Sequence, residues 1–490
     1  MKKIAVIGAG VSGLTAAIYC LRSGFDVTIY EQHSKSGGLC TGWKRKGFSF
    51  EGAVHWVNDS DETAPLYRIW RDTGILGDGL KTHRRDPYCV YDYQGTNISL
   101  YRDIDKLKEH FLEISPNDKQ AVEMLYRDVQ LIRPLKVPLT DIPGLKTRNK
   151  SRLDIPALLK MTPGLLSLNR LSNYSAVEYA AAFKHPGIRK AIGEYVVYKK
   201  FGSLSLLHTM AAFTDNGVYP EGGSLALSKR MEEKVYSMGG KIVFNTKADK
   251  VIVENRQARG VKIQGENLYY DAVIVSQDLL TVEKLLDEAP TDKWIKDSKN
   301  APPVQTAFAS IGASEDLTDF PFGYAFDEAI NVAGIQYDSI LIRNYAAHKN
   351  YAPPGCSSIT CSFTGDTYDY WKEHKEKGTY NEQKQIFADE LKSLLEKNIP
   401  RLSGKIEVLD VATPLTYERY TGSYRGAWMT VLLKDRKTSM PTVVPSGITK
   451  LYFTGFRTKA PGGLPIAVLS GFRAAQHACR DLGIMFEGAV

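Results

Sequence analysis

A strand-like run of four apolar residues after Lys3, which leads straight into a glycine-rich turn and then a helix, restricts this 490-residue chain to few folds. Residues 3–7 are largely β-branched, Gly8-Ala9-Gly10-Val11-Ser12-Gly13 follows, and residues 15–23 show helical spacing. The first glycine permits a tight turn, the second lets the backbone approach a pyrophosphate, and the third allows helix and strand to pack closely. The N–H groups of the helix N-terminus then face the anion. The pattern predicts a dinucleotide-binding unit.

A second strand and an acidic residue extend this unit. Residues 26–30 form the strand, and Glu31 follows it 18 residues after Gly13, where a carboxylate accepts hydrogen bonds from a ribose. Gln32 comes next, and the pair Gly37-Gly38 with Leu39 begins six residues beyond the acid. Adjacent glycines let the main chain approach a bulky cofactor and donate N–H groups to phosphate or ribitol oxygens. This loop favours FAD over NAD.

The composition excludes several classes of protein. With 43% hydrophobic and 24% charged residues the chain is globular, and its length predicts two domains. A net charge of +8 is too small for this length to indicate nucleic-acid binding. The six cysteines show neither a Cys-x-x-Cys pair nor zinc-ligand spacing, so we expect no metal site and a reduced, cytoplasmic protein. Three glycines interrupt the uncharged run over residues 4–21, which favours a strand plus helix over a membrane span.

Two later regions contain glycine-rich joints that are candidate parts of the cofactor site. Residues 225–238 show helical spacing and end at Gly239-Gly240, after which segments 241–244 and 250–254 are predicted to pair as a hairpin. A buried strand is predicted at 271–275. Near the C-terminus, a strand at 451–455 precedes Pro461-Gly462-Gly463-Leu464-Pro465 and a helix over 466–482.

Four blocks, in their order and spacing, resemble the FAD-dependent phytoene desaturase, carotenoid isomerase and retinol saturase family of amine-oxidase-like flavoproteins over most of the chain. They are residues 4–31 with Gly37-Gly38, residues 47–56 (Gly47-Phe48-Ser49-Phe50-Glu51-Gly52-Ala53-Val54-His55-Trp56), residues 219–276 and residues 451–482. Leu39 stands where this family often has Arg, and Phe456 follows Gly455 in place of an Asp. These departures indicate a divergent, bacterial-type member.

The resemblance implies roles for particular residues. The predicted FAD contacts are Gly8, Gly10, Val11, Ser12, Gly13, Glu31, Gln32, Gly37, Gly38, Leu39, Val251 (through its backbone, at the adenine), Gly455, Gly463, Leu464 and Pro465. The helix that begins near Gly463 would stabilise negative charge on the flavin. His55 is expected beside the isoalloxazine, either as a catalytic group that gives or takes a proton or as a hydrogen-bonded structural residue.

The segment 131–170 carries most of the net charge. Eight Lys or Arg against two acids give +6 of the total +8. Leucines and prolines among them produce an amphipathic composition that fits an anionic lipid surface, and equally a lid with one solvated face. Aromatic residues are dense over 174–213 and 320–371, which suits a long apolar tunnel as well as ordinary core packing.

These features predict an α/β fold with a discontinuous Rossmann-like FAD-binding domain (1–85, 215–285 and 445–490) and an interleaved α+β substrate domain (86–214 and 286–444). The expected activity is FAD-dependent desaturation, saturation or isomerisation of carbon–carbon bonds in a lipophilic, polyene or isoprenoid-like substrate, by hydride transfer to or from flavin. The alternatives are a flavin amine oxidase and a non-catalytic FAD-containing lipid-binding protein. The electron donor or acceptor stays open, as does peripheral membrane contact.

Overall fold

Three main sheets organise the part of the chain that the computed structural model describes. That part comprises residues 1–136, 139–148, 155–196, 199, 201–215, 217–287, 303–430, 443–445, 447–459 and 462–488. Residues 137–138 and 149–154 of the predicted basic segment, and Pro461, lie outside it.

The first sheet is parallel and has the strand order β21–β13–β1–β2–β9. Its strands are β1 (Lys3–Ile7), β2 (Asp26–Tyr30), β9 (Lys241–Val243), β13 (Ala272–Val275) and β21 (Leu451–Phe453). Ile4 and Val6 lie in the core formed with the helices, whereas Ala5 and Ile7 lie in a second core on the opposite face. Both faces of the sheet are thus covered, as is usual for parallel sheets. The predicted bounds of β1 and β2 are confirmed.

The predicted hairpin of 241–244 with 250–254 is wrong. β9 lies beside β2 in the parallel sheet, with Thr28 opposite Lys241. Residues 250–254 belong to an antiparallel sheet of β10 (Ala248–Glu254), β11 (Gln257–Ile263) and β12 (Glu266–Tyr269). Asn255 and Arg256 both have positive φ, which is the geometry of a two-residue hairpin turn, so β10 pairs with the strand after it.

A mixed seven-stranded sheet has the order β20–β14–β19–β18–β15–β6–β7. Its strands are β6 (Cys89–Tyr93), β7 (Thr96–Leu100), β14 (Thr306–Ala313), β15 (Gly323–Phe326), β18 (Ile340–Asn344), β19 (Ser357–Thr364) and β20 (Ile406–Ala412). Two-stranded ribbons are formed by β3 (Gly42–Arg45) with β4 (Phe48–Glu51), β5 (Thr82–His83) with β8 (Tyr219–Pro220), and β16 (Ile330–Val332) with β17 (Ile335–Tyr337). The predicted α/β class is confirmed, and the domain boundaries stay a prediction.

Helices cover these sheets and link their strands. They are α1 (Val11–Arg22), α2 (Tyr67–Thr73), α3 (Ile104–Ile114), α4 (Lys119–Ile132), α5 (Ile155–Leu171), α6 (Ala176–Ala180), α7 (Pro186–Lys190), α8 (Ser203–Asp215), α9 (Gly223–Ser237), α10 (Tyr368–Glu376), α11 (Tyr380–Asn398), α12 (Pro414–Thr421) and α13 (Leu464–Leu482). The three helices predicted near residues 15, 225 and 466 are present as α1, α9 and α13. Within the described residues, no helix is long and apolar enough to span a bilayer.

Candidate functional site

The turn between β1 and α1 leaves backbone donors open. Gly8 has φ 99°, a conformation that other residues rarely adopt, and its N–H donates to Tyr30 O at 2.8 Å. A Cβ at Gly13 would overlap Gly8 O, so α1 can approach the turn only with glycine at that position. No described side chain caps α1 at Gly10. The first N–H groups of the helix therefore open onto a cavity and can bind an anion.

Glu31, at the end of β2, is tied to the same turn. Its Oε2 accepts the Ala9 N–H at 2.7 Å, and its Oε1 accepts the His33 N–H at 2.8 Å. Burial raises the pKa of Glu31, and the hydrogen bonds from His33 and Ala9 partly oppose that rise. Each carboxylate oxygen can accept a further hydrogen bond. Glu31 lines the cavity, so it retains capacity for a ligand hydroxyl.

The loop with the glycine pair packs directly on the first turn. The Gly37 N–H donates to Ala9 O at 2.8 Å, and Gly37 forms a β-bridge with Gly10. Gly37 and Gly38 have φ of 114° and 61°. A Cβ on Gly38 would lie 3.2 Å from the Cα of Gly10. Side chains at this pair would be strained and crowded, so only glycine lets both backbones lie against the first turn at the cavity lining.

The start of α13 also lines the cavity. Gly455 and Gly463 have φ of 135° and 92°, and a Cβ on Gly455 would meet no described atom within 4 Å. No described side chain caps α13, so its positive end faces the cavity. Where the sequence departs at Gly455-Phe456, the wall holds a buried ion pair of Arg457 and Asp278, 2.6 Å apart.

One cavity of about 1380 Å³ joins these elements. Two predicted residues do not line it: Gly13, which packs against the turn, and Val251, whose side chain is buried in the core between the first and second sheets. The predicted adenine contact of Val251 stays a prediction, and Thr246 to Asp249 of the same segment do line the cavity. The predicted residues that line it are Gly8, Gly10, Val11, Ser12, Glu31, Gln32, Gly37, Gly38, Leu39, His55, Gly455, Gly463, Leu464 and Pro465.

His55 also lines the cavity. Its Nδ1 atom is buried and has no hydrogen-bond partner among the described residues. Burial lowers the pKa of His55 well below its usual range, and the nearby charges of Arg343 and Arg85 lower it further. The ring is therefore neutral at pH 7 and a weak base, and its unpartnered Nδ1 is free to take part in a hydrogen bond with a ligand. Its catalytic role stays a prediction.

Glu51, which sequence analysis did not select, is the most densely hydrogen-bonded side chain near the cavity. It is 1% exposed, and its oxygens accept from the N–H groups of Ala53 and Val54, each at 3.0 Å. Ser224 donates through both N–H and Oγ–H. The hydroxyls of Tyr219 and Tyr351 donate at 2.9 and 3.1 Å. These bonds fix the backbone between Glu51 and His55.

Arg85 and His348 form a second buried polar group that the sequence did not reveal. The Arg85 guanidinium lies over the rings of Phe322 and Tyr219, at 3.5 and 4.1 Å from their centroids. Its Nε and Nη2 donate to His348 Nε2 at 3.1 and 2.6 Å. Burial, with the charge of Arg85, lowers the pKa of His348 to about 3.

Comparisons with known proteins decide the family. The family model described as flavin containing amine oxidoreductase matches residues 11–479, which is nearly the whole chain. The chain belongs to this family.

Two curated relatives and one solved structure resemble this flavin-containing amine oxidoreductase. Prolycopene isomerase of Daucus carota is 24% identical over 513 residues, which cover 98% of this chain and 80% of that protein. The 4,4'-diaponeurosporene oxygenase of Staphylococcus aureus is 24% identical over 517 residues, which cover 97% of each chain. Cyclohexylamine oxidase from Brevibacterium oxydans IH-35A has the same fold, with a TM-score of 0.62 at 13% identity over 98% of this chain and 99% of that one.

The predicted amine-oxidase-like flavoprotein family and its cofactor, FAD, are confirmed. The residues present suit this cofactor. Two uncapped helix N-termini, α1 and α13, face one cavity, and glycines stand where a Cβ would project into it or crowd the turn. The N–H groups of α1 would hold the diphosphate, and Glu31 would hold a ribose hydroxyl. The individual contacts stay predictions.

The Glu51→Gln variant tests how the backbone beside His55 is held. The amide nitrogen would face donors such as Ser224, so at least one buried hydrogen bond is lost. We expect the free energy of unfolding to fall by about 1–3 kcal/mol, measured by urea denaturation followed by tryptophan fluorescence. Glu328→Gln, which removes a surface ion pair with Lys397, is the matched control and should cost at most about 1 kcal/mol. Equal losses in the two variants would contradict this view of Glu51.

The depressed pKa of His348 predicts loss of stability in acid. Below pH 6.5, the usual pKa of histidine, the unfolded chain binds a proton that the folded chain does not bind until about pH 3. Stability is therefore complete above pH 6.5 and falls as the pH drops, by about 1.4 kcal/mol per pH unit for this one group. Urea denaturation at a series of pH values measures the slope.

The His348→Gln variant isolates this contribution, since an amide oxygen can still accept from Arg85. We expect its slope between pH 6.5 and 5 to be smaller than that of the native protein by this one-proton increment. Above pH 7.5 the two slopes should coincide. Parallel slopes across the whole range would show that the folded protein protonates His348 freely.

Proposed function

We propose that this FAD-dependent oxidoreductase acts on carbon–carbon bonds of a lipophilic, polyene or isoprenoid-like substrate, by desaturation, saturation or isomerisation. The observation that carries the proposal is the continuation of the flavin cavity into an apolar compartment. At about 1380 Å³ the cavity exceeds the roughly 300–1000 Å³ typical of small-molecule sites, which leaves room for a substrate beside the cofactor.

The apolar compartment lies between α4, α5 and α8. One wall consists of aliphatic side chains from these helices and from the chain after α4: Ile132, Leu135, Met161, Leu165, Leu168 and Leu204. A long hydrocarbon gains about 25 cal/mol for each Å² that it buries against such a wall. A short, charged amine would not use it.

FAD, when bound, supplies the hydride acceptor or donor. The residues of this chain do the rest: the aliphatic wall excludes water, and the positive end of α13 favours negative charge nearby. His55, whose pKa is depressed by burial and two arginines, is a neutral hydrogen-bonding group on the cavity wall.

The relatives support this substrate class. Prolycopene isomerase and 4,4'-diaponeurosporene oxygenase are both carotenoid-related by name, and they align along almost the whole of this chain. At 24% identity they do not determine the substrate, so either name supplies only the kind of molecule to test first.

An anaerobic visible spectrum, recorded before and after addition of NADPH or NADH, tests the chemistry. Rapid bleaching of the flavin band would identify a saturase reduced by nicotinamide. An unchanged band would favour desaturation coupled to oxygen or quinone, or isomerisation. A lipophilic polyene should then be converted at a rate well above that of any amine, and peroxide formed only with amines would instead identify an amine oxidase. Flavin that neither reductants nor polyenes change would indicate a non-catalytic lipid-binding protein.

We also propose peripheral membrane contact through α5. Ile155, Leu159 and Leu166 are 65%, 68% and 79% exposed, and at 3.6 residues per turn they share one face of the helix. The adjoining face carries Met161 and Leu165 and lines the cavity. A lipid surface on the exposed face would therefore lie next to the apolar compartment, and the surplus of basic residues in 131–170 would favour anionic lipids.

The double variant Leu159→Glu with Leu166→Glu tests this contact. Two leucines removed from the bilayer surface, at about 1.5–3 kcal/mol each, should weaken co-sedimentation with phosphatidylglycerol vesicles more than tenfold. Ile386→Glu, which changes a 52% exposed residue of α11, is the matched control and should sediment like the native protein. Failure of the native protein to sediment, or equal binding by all three proteins, would contradict the proposed contact.

A further inference from the structure

Strand β18 presents a cation to the cavity. Side chains alternate along a strand, and Ile340 and Ile342 point into the core that α11 covers. Leu341 and Arg343, on the opposite face, line the cavity. After burial, Arg343 is the largest influence that lowers the pKa of His55, so its charge acts on the candidate catalytic group. The guanidinium is therefore part of the wall near His55.

No carboxylate of the described residues neutralises Arg343. No Asp or Glu oxygen among them lies within 4.0 Å of its guanidinium. Burial lowers the pKa of Arg343, but the phenols of Tyr88 and Tyr345 more than offset this effect, so its pKa is raised and the side chain stays charged. Arg343 thus brings a full positive charge to a largely apolar wall.

Two other arginines that line this cavity are each paired with a carboxylate. Arg133 lies 2.7 Å from Asp215, and Arg457 lies 2.6 Å from Asp278. A charge that is removed from water without a partner is costly, which is why such groups are usually paired. The planar guanidinium has the geometry for two parallel hydrogen bonds to one carboxylate. The guanidinium of Arg343 on the cavity wall therefore suits a ligand anion of the size and shape of a carboxylate.

We propose that the substrate is a lipophilic chain ending in a carboxylate, which Arg343 binds while the chain lies along the apolar wall. This inference rests on the proposed function, because it requires a lipophilic substrate in the same cavity. It narrows the proposed substrate class from neutral polyenes to polyene carboxylic acids or fatty acids. It also orients the molecule, since the carboxylate end lies on the side of the wall where Arg343 acts on His55.

Binding of a matched pair of probes tests the proposal without turnover. trans-Parinaric acid, a fluorescent conjugated fatty acid, and its methyl ester differ in the charge of one end only. Each is titrated into the FAD-loaded protein, and the rise in probe fluorescence gives Kd. We expect the acid to bind ~10-fold to ~100-fold more tightly than the ester, the range that a charge-assisted hydrogen bond supplies. Arg343→Gln should abolish this difference, and Arg343→Lys should retain part of it because a point charge remains.

Arg133→Gln is the control, because it removes a guanidinium of the same cavity that already has a carboxylate partner; the acid-to-ester ratio should stay native. Equal binding of acid and ester by the native protein, or a native ratio in Arg343→Gln, would overturn the inference and leave the lipophilic cavity intact. If neither probe binds the native protein, the proposed function itself fails. If the Arg343→Gln variant does not fold, the acid-to-ester affinity ratios of the native protein and of Arg343→Lys still test the proposal.

Discussion

A carboxylate that is sealed from water must find its hydrogen-bond donors inside the protein, and Glu51 accepts six hydrogen bonds. Its donors come from three parts of the chain: the residues that follow β4, the joint between β8 and α9, and Tyr351 in the loop that precedes β19. The parallel sheet's helix α9, the ribbon β3–β4 and the seven-stranded sheet are thereby held at one point. A buried carboxylate that lacks some of its hydrogen bonds destabilises a fold more than an apolar side chain in its place would. These segments therefore adopt their positions together.

Glycine makes this arrangement possible at the same point. A Cβ on Gly223, which has φ 56°, would overlap the carboxylate of Glu51 and the hydroxyls of Tyr219 and Tyr351. The first helical residue of α9 can therefore approach the carboxylate only without a side chain. The glycines of the two cofactor loops act in the same way, because the absence of a Cβ keeps their backbones at the cavity edge. The flavin cavity and the hydrogen-bonded cluster around Glu51 thus both depend on glycines, because the absence of a Cβ permits close approach.

The sequence predicted the elements whose cause is local. β1, α1 and β2 follow from an apolar run, three glycines and a second apolar run. Both strands occur where they were predicted, and α1 begins at Val11, earlier than the predicted residue 15. The hairpin error has a non-local cause: periodicity shows that 241–243 is a strand but cannot show that the free edge of β2 is its partner. The pairing of β10 has a local cause, because positive φ at both Asn255 and Arg256 forms the turn that joins it to β11.

The residues of the candidate site also fall into two groups: those that the sequence predicts and those that only the fold reveals. The phosphate-side glycines and Glu31 were predictable because one motif contains them all, whereas Glu51 and Arg343 owe their importance to distant neighbours. Tyr351 is 300 positions from Glu51 in sequence, and no spacing rule links them. Glu51 lies within residues 47–56, the second block of the family resemblance, but nothing in the sequence indicated that its side chain is buried. In the sequence, Arg343 is one polar residue among the apolar residues of a strand, and such alternation predicts that its side chain is exposed to solvent. In the fold, that face of the strand lines the cavity.

The positive charges around the cavity affect both His55 and any ligand that enters. The N-terminal end of α13 and the side chain of Arg343 both place positive charge on the cavity wall, and Arg85 adds another charge from behind His55. The same field has two effects that do not conflict. Arg343 and Arg85 add to the effect of burial in depressing the pKa of His55, so the ring stays neutral, and the positive charges favour any anionic group that enters the cavity. A reaction that draws electron density toward this wall is therefore favoured, while one that must develop positive charge there, as on an amine nitrogen, is opposed by the two arginines whose charges act on His55.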